Sequence, residues 1–251
     1  MYKLKGEDLI PGLTEDEIKK SRLPLPDRET LDDEEREIFD EVLARSKRFF
    51  ASVPANAGQE YRLTPYFQGL LQSPRVAKLW SNFGDFYQPA QERGSFTHRQ
   101  RELAELTVGM LLKLLTGAPN LSAVHVADAV GVGLAATDIK AIYEERFEDL
   151  SPDDRQLAEY VRATVRGELT PELFEALAER MGRKTAIEYT SYICYRVGGK
   201  MGVRAMWRIQ GRETNSKRGE AVLQAYLDGT AEPHPEDRAN AWVKAGKQKN
   251  R

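Results

Sequence analysis

Glu102 lies at the entrance of a long apolar segment, and His125 is by far the largest polar group in a segment made almost wholly of small residues. A free imidazole titrates near pH 6.5, so histidine can give or take a proton at neutral pH, and a partly buried carboxyl can be tuned toward the same range. A pair of this kind needs no metal or organic cofactor to do acid/base work. Taken alone, His125 reads as a satisfied core histidine or a general acid/base, and Glu102 as a helix-start acid serving the dipole or the partner and second proton carrier of that histidine. Asp128, one turn beyond His125, could accept from one imidazole nitrogen and fix the tautomer, and Ser122 is within a turn on the other side. Ser122, His125 and Asp128 on one helix do not make a nucleophilic triad, because no strained turn presents the serine. The other histidines, His98 and His234, fall at a helix start and in a tail, and no HxxxH or HExxH spacing occurs, so no metal is expected. His98 reads as a surface residue of a helix cap. The sole cysteine, Cys194, excludes an internal disulfide or a CxxC pair and reads as a buried structural thiol. Aromatic residues that could line a substrate pocket are Tyr66, Phe67, Trp80, Phe83 and Tyr87, with Tyr61, Phe86, Tyr192, Tyr195 and Trp207 as further candidates, and they favour a planar or cyclic organic substrate. Arg101 and Arg196 could meet a substrate carboxylate.

These residues must be positioned by helices. Apolar residues recur at helical spacing throughout, and alternating strand patterns are scarce, so the chain reads as all-α. Ser or Thr precedes Pro at 64–65, 73–74, 151–152 and 170–171, which joins a cap to a first-turn proline. Helices are expected near 31–50, 65–72, 74–87, 98–115, 121–132, 137–145, 152–166, 171–181, 184–209 and 216–227. Thr30 is read as the cap of the first. The helix over 98–115 is apolar nearly all round in its later half, with Leu103, Leu106, Met110 and Leu114 on one stripe and Val108, Leu111, Leu112 and Leu115 covering the rest, so it should be central. Glu102 points to the edge of that core, where a carboxylate pairs with a cation or has a raised pKa. Residues 1–29 read as an N-terminal arm, 30–212 as the helical domain and 213–251 as a helix with a polar tail.

The chain has 251 residues, with 37 Lys and Arg against 39 Asp and Glu. That balance disfavours a surface built to neutralise phosphates, hence nucleic acid. The N-terminus lacks the apolar region of a secretory signal, and the longest apolar stretch falls short of the roughly 20 residues that span a bilayer. The expectation is a cytoplasmic protein without a membrane partner.

The run Arg101-Glu102-Leu103-Ala104-Glu105-Leu106, followed by an apolar helix, a short loop and a second helix bearing His125, Ala127, Ala129 and Gly133, resembles the carboxymuconolactone decarboxylase family, also called AhpD-like. The segments 22–31 and 67–74 resemble it too, so the likeness spans about residues 22 to 210. It implies an all-α helical bundle assembled as a homo-oligomer (dimer, trimer or hexamer). It also implies that Glu102 and His125 are the functional pair. The hydroperoxide-reducing branch carries a CxxC pair just before the histidine; Ala118 and Leu121 stand there in this chain, so that thiol chemistry is absent. The implied activity is cofactor-independent decarboxylation, isomerisation or elimination on a small cyclic or aromatic-derived substrate. The alternatives are a non-catalytic helical ligand-binding or scaffold oligomer and, third, a hydroperoxide reductase working through Cys194.

Overall fold

A computed structural model describes residues 12–52, 58, 60–87, 95–116, 122, 125–211, 223–225 and 227–228. Among them the chain is helical, and its one extended pairing is an isolated antiparallel bridge between Leu13 and Leu63. The helices are α1 Glu15–Lys19, α2 Asp33–Ser52, α3 Pro65–Leu70, α4 Pro74–Phe86, α5 His98–Thr116, α6 Val126–Gly131, α7 Ala136–Tyr143, α8 Pro152–Arg166, α9 Pro171–Met181 and α10 Arg183–Ile209. No described helix is long and apolar enough to cross a membrane. The described residues divide into two compact units, one from residues 12–86 with 201–211, the other from 87–200 with 223–228.

In the first unit α4 packs on α2 and α3. Its core gathers Leu13, Ile18, Phe39, Val42, Leu63, Tyr66, Leu70, Leu71 and Ala77, with Phe67 and Trp80 packed against it. The described part of the expected arm is docked on this unit. Thr14 and Glu17 close a capping box over α1, and Leu13 exchanges backbone hydrogen bonds with Leu63 at 2.8 and 3.0 Å. The amide nitrogen of Gln68, fully buried, donates to Ser21 Oγ and to the Leu23 carbonyl. A Cβ at Gly69 would meet the Met206 side chain, so any larger residue there would have to push that methionine aside.

The second unit is built on α5, which packs against α6, α7 and α8, while α9 packs on α8. Residues 102–111 of α5 are buried without a break, whereas Leu114 and Leu115 are exposed, so the all-round apolar pattern marks a buried helix only as far as Leu111. The caps expected from Ser or Thr before Pro form at three sites: Thr64, Ser151 and Thr170 accept from the amides of Phe67, Asp154 and Leu173. Thr30 does not cap α2. It ends a short 3-10 turn, Arg28–Thr30, and Asp32 accepts from the Glu35 amide instead. Of the helix expected over 216–227, residues 223–225 and 227 are helical and the others lie outside the described residues, as do Ala118, Leu121 and His234.

Candidate functional site

Glu102 and Glu105 lie one turn apart on α5, so both carboxylates leave the same face of the helix. They are 1% and 0% exposed, and a charge so deeply buried must be matched by hydrogen-bonded cations. Matching groups arrive from three directions, all within the second unit. Glu102 Oε1 receives His98 Nε2 at 3.0 Å and Arg101 Nη2 at 3.0 Å, and Glu102 Oε2 lies 3.0 Å from His125 Nδ1. Glu105 Oε2 receives the Arg196 Nε, and Oε1 the Lys200 Nζ. Ser122 Oγ donates to the Glu105 carbonyl at 2.7 Å and approaches Glu105 Oε1 at 3.3 Å.

His125 is the N-cap residue of α6 and not a mid-helix residue, and its amide closes a turn onto the Ser122 carbonyl at 2.8 Å. That position swings the imidazole toward α5. Asp128 Oδ2 lies 3.7 Å from Nδ1, beyond hydrogen-bond range, so the orienting carboxylate is Glu102 rather than the i+3 aspartate expected from helical spacing. On its other side, His125 Nε2 is 3.5 Å from Arg196 Nη2 and 3.4 Å from Glu105 Oε1. A guanidinium only donates, and a carboxylate with three donors around it only accepts. Glu102 therefore anchors Nδ1–H, while Nε2 lies between a donor, Arg196, and an acceptor, Glu105.

Burial raises the pKa of Glu102, but His125, His98 and Arg101 outweigh it and hold the carboxyl well below the usual range. The alternative of a raised, proton-carrying glutamate therefore gives way to an ionised anchor. Burial likewise opposes ionisation of Glu105, and Arg196, His125 and Lys200 reverse it. Burial presses Lys200 down to about 8 despite its carboxylate partner. Burial also lifts the Tyr192 phenol well above its ordinary range, so it remains protonated beside these charges.

His98 is not a surface residue: its side chain is largely buried and bonded to Glu102. Tyr87 joins the site indirectly. Its carbonyl accepts Arg101 Nη1 at 2.7 Å, and its ring meets Tyr192 edge-on at 5.1 Å between centroids. Tyr66, Phe67, Trp80 and Phe83 belong to the first unit. There Tyr66 packs edge-on against Phe67 and Trp80 at 5.7 and 6.1 Å, while Phe83 is exposed on α4. Trp207 is buried and also belongs to the first unit. Cys194 is exposed, contrary to the expectation of a buried thiol, because α10 turns that position outward while Tyr192 and Ile193 face in.

Glu105 and Lys200 were not singled out in the sequence. Two signals were available: a second acid one turn from Glu102 in an apolar helix, and two cations, Arg196 and Lys200, at i,i+4 on α10. Glu102, His125 and Asp128 offer ligand atoms within 4.8 Å of one another, a spacing that could hold a cation. The Arg101 guanidinium on Glu102 and the Arg196 guanidinium beside His125 make that point unfavourable for added positive charge. No family model, curated protein or solved structure matches the chain.

Proposed function

We propose that the chain is a homo-oligomeric, cofactor-independent acid/base enzyme of the carboxymuconolactone decarboxylase-like type, acting on a small cyclic or aromatic-derived organic substrate. The observation that carries this reading is the 3.0 Å contact between Glu102 Oε2 and His125 Nδ1, made by side chains from separate helices. The order of the helices and the absence of cysteine around His125 agree with a thiol-free site.

In this reading Nδ1–H is anchored on the ionised Glu102, and Nε2 takes a proton from substrate. The imidazolium that results is stabilised by a carboxylate already in place, so no reorganisation is required at that step. His98 and Arg101 keep Glu102 ionised and fixed, and Glu105 holds Arg196 against the reactive nitrogen. Proton return from Nε2 completes an isomerisation; in a decarboxylation Nε2 takes the proton of the carboxyl group, the C–C bond breaks with its electron pair left on the substrate carbon, and the same proton returns to that carbon as carbon dioxide leaves.

The test is turnover of a panel of unsaturated lactones and β-keto acids followed by absorbance. His125→Ala should abolish turnover while circular dichroism and oligomeric state persist; retained turnover overturns the role of His125. Glu102→Gln should lower kcat by about 10²-fold or more, since general acid/base groups contribute on that scale. A second reading is favoured by the completeness of the charge pairing: Glu102 and Glu105 are each matched by cations in the manner of a structural ion network in a non-catalytic scaffold. On that reading the lactone panel shows no turnover and Glu102→Gln acts on stability alone. Peroxide reduction through the exposed Cys194 predicts peroxide consumption that disappears in Cys194→Ala.

A further inference from the structure

We infer that Lys200 is a nucleophile that condenses with an aldehyde or ketone carbonyl, so that the site joins its substrate as an iminium. The inference deepens the acid/base reading, on which its use of His125 rests, by naming carbonyl compounds with an α C–H as the substrate class.

Three groups converge on one oxygen of Glu105. Lys200 Nζ donates to Oε1, Ser122 Oγ lies 3.3 Å from it, and His125 Nε2 lies 3.4 Å from it. An amine carried by α10 is thereby set beside the reactive imidazole nitrogen at the start of α6. Charge balance alone does not call for it, because Arg196, one turn earlier on α10, already matches Glu105 at Oε2. The Lys200 side chain is only 6% exposed, so the lysine gives up most of its hydration to reach this point. Burial and the Arg196 guanidinium oppose its charge, Glu105 supports it, and burial prevails: the amine is held at about 8, against 10.5 for an ordinary lysine. A desolvated lysine next to a second cation is the arrangement that frees an amine to attack carbonyl carbon near neutral pH.

The chemistry closes on groups already in place. His125 Nε2 takes a proton from the ammonium, and the freed amine attacks the carbonyl carbon, forming the C–N bond while the C=O π pair passes to oxygen. A nitrogen proton moves to that oxygen and gives the carbinolamine. The imidazolium then returns its proton to the hydroxyl, the C–O bond breaks, and water leaves. Ammonium and carbonyl have become iminium and water, so the positive charge opposite Glu105 is conserved throughout. The iminium withdraws electrons from the neighbouring carbon, and His125 Nε2, proton-free again, takes the α-proton to form the enamine. Glu105 serves as the positioning residue, holding Nζ on the imidazole side.

The experiment traps the iminium and requires no turnover. The full-length protein is treated with benzaldehyde and sodium cyanoborohydride, whose hydride reduces an iminium to a stable secondary amine, and the modified residues are located by peptide mass spectrometry. Benzaldehyde has no α-proton, so the adduct reports condensation alone. At pH 7.5 Lys200 should be modified about tenfold or more faster than the other lysines, because more of it is uncharged. Its rate should reach half of its plateau near pH 8. The α-amino group of the chain also titrates in that range and is read on a separate peptide. Lys200→Met should remove the fast lysine adduct, and Lys200→Arg, which keeps a cation on Glu105, should remove it equally. Uniform modification of the lysines, an unreactive Lys200, or a fast lysine adduct that survives in both variants overturns the inference. Failure here is separable from failure of the acid/base reading: retained turnover in His125→Ala removes the latter, while an untrapped Lys200 in a protein whose turnover depends on His125 removes only the former.

Discussion

At the residue scale, Glu105 is the member of the site with the most to lose. Its two oxygens receive Lys200, which is buried, and Arg196, which is partly so, and Glu105→Ala would strand both cations without this counter-charge. Breaking one partner out of a buried ionic network costs about 3–5 kcal/mol, and denaturant unfolding should show a loss of that order. Lys200→Met should cost much less, because Glu105 keeps Arg196 and the methionine fills the apolar path of the lysine stem. Acid titration follows from the same charges. Glu102 and Glu105 are held below their ordinary value of 4.5 in the folded chain, so their contribution to stability is complete above about that pH and is lost as pH falls toward the lower folded values. Thermal melts should therefore fall steeply below pH 4.5, and Glu105→Gln should flatten that fall. Lys200 works the other way. Its folded value of about 8 lies below its ordinary 10.5, the unfolded chain holds more protons between them, and its contribution makes stability rise with pH across that interval.

At the element scale, helix starts were the most legible feature and the second helix of the site the least. Ser151 caps α8 and also donates to Asp154 Oδ2, which in turn receives Arg99 Nη2 at 2.8 Å. Ser151→Ala should destabilise by about 1 kcal/mol through the cap, read from the midpoint of urea unfolding. The bounds of α8 and α9 coincide with the sequence reading because proline and a capping hydroxyl fix the start and a glycine ends each helix: Gly167 adopts φ 73° and Gly182 φ 83°. α6 carried no such punctuation. Alanine favours a helix here but neither proline nor a capping hydroxyl marks where it starts, and His125 becomes its cap residue. For the same reason Asp128 is a plausible partner on a helical wheel, whereas Glu102 enters only through the family resemblance: a contact between separate helices has no signature in local spacing.

At the scale of the whole molecule, every partner of Glu102, Glu105 and His125 described above comes from Tyr87–Lys200. All-α architecture could be read from periodicity, and the Glu102–His125 pair from the resemblance alone. The partition into two units could not, because the helices of both carry the same kinds of caps and apolar stripes. That partition also explains why the aromatic list was too broad: Tyr66, Phe67 and Trp80 are accounted for by packing in the first unit, whereas Tyr87, Tyr192 and Tyr195 belong with the charges. Leu71→Ala in the first unit should destabilise by about 2–5 kcal/mol, the usual range for a buried leucine. The ¹⁵N resonances of His98 and His125 should stay in place under native conditions; a shift in either would show the site to depend on that core.

Cys194 lies two residues before Arg196 on α10, which sets the two side chains about 200° apart around the helix axis. A maleimide dye or nitroxide attached to this lone outward-facing sulfur would give a homogeneous conjugate whose probe projects away from the guanidinium. Ligand capture could then be followed optically or magnetically from the rear of the helix, leaving its working face unobstructed.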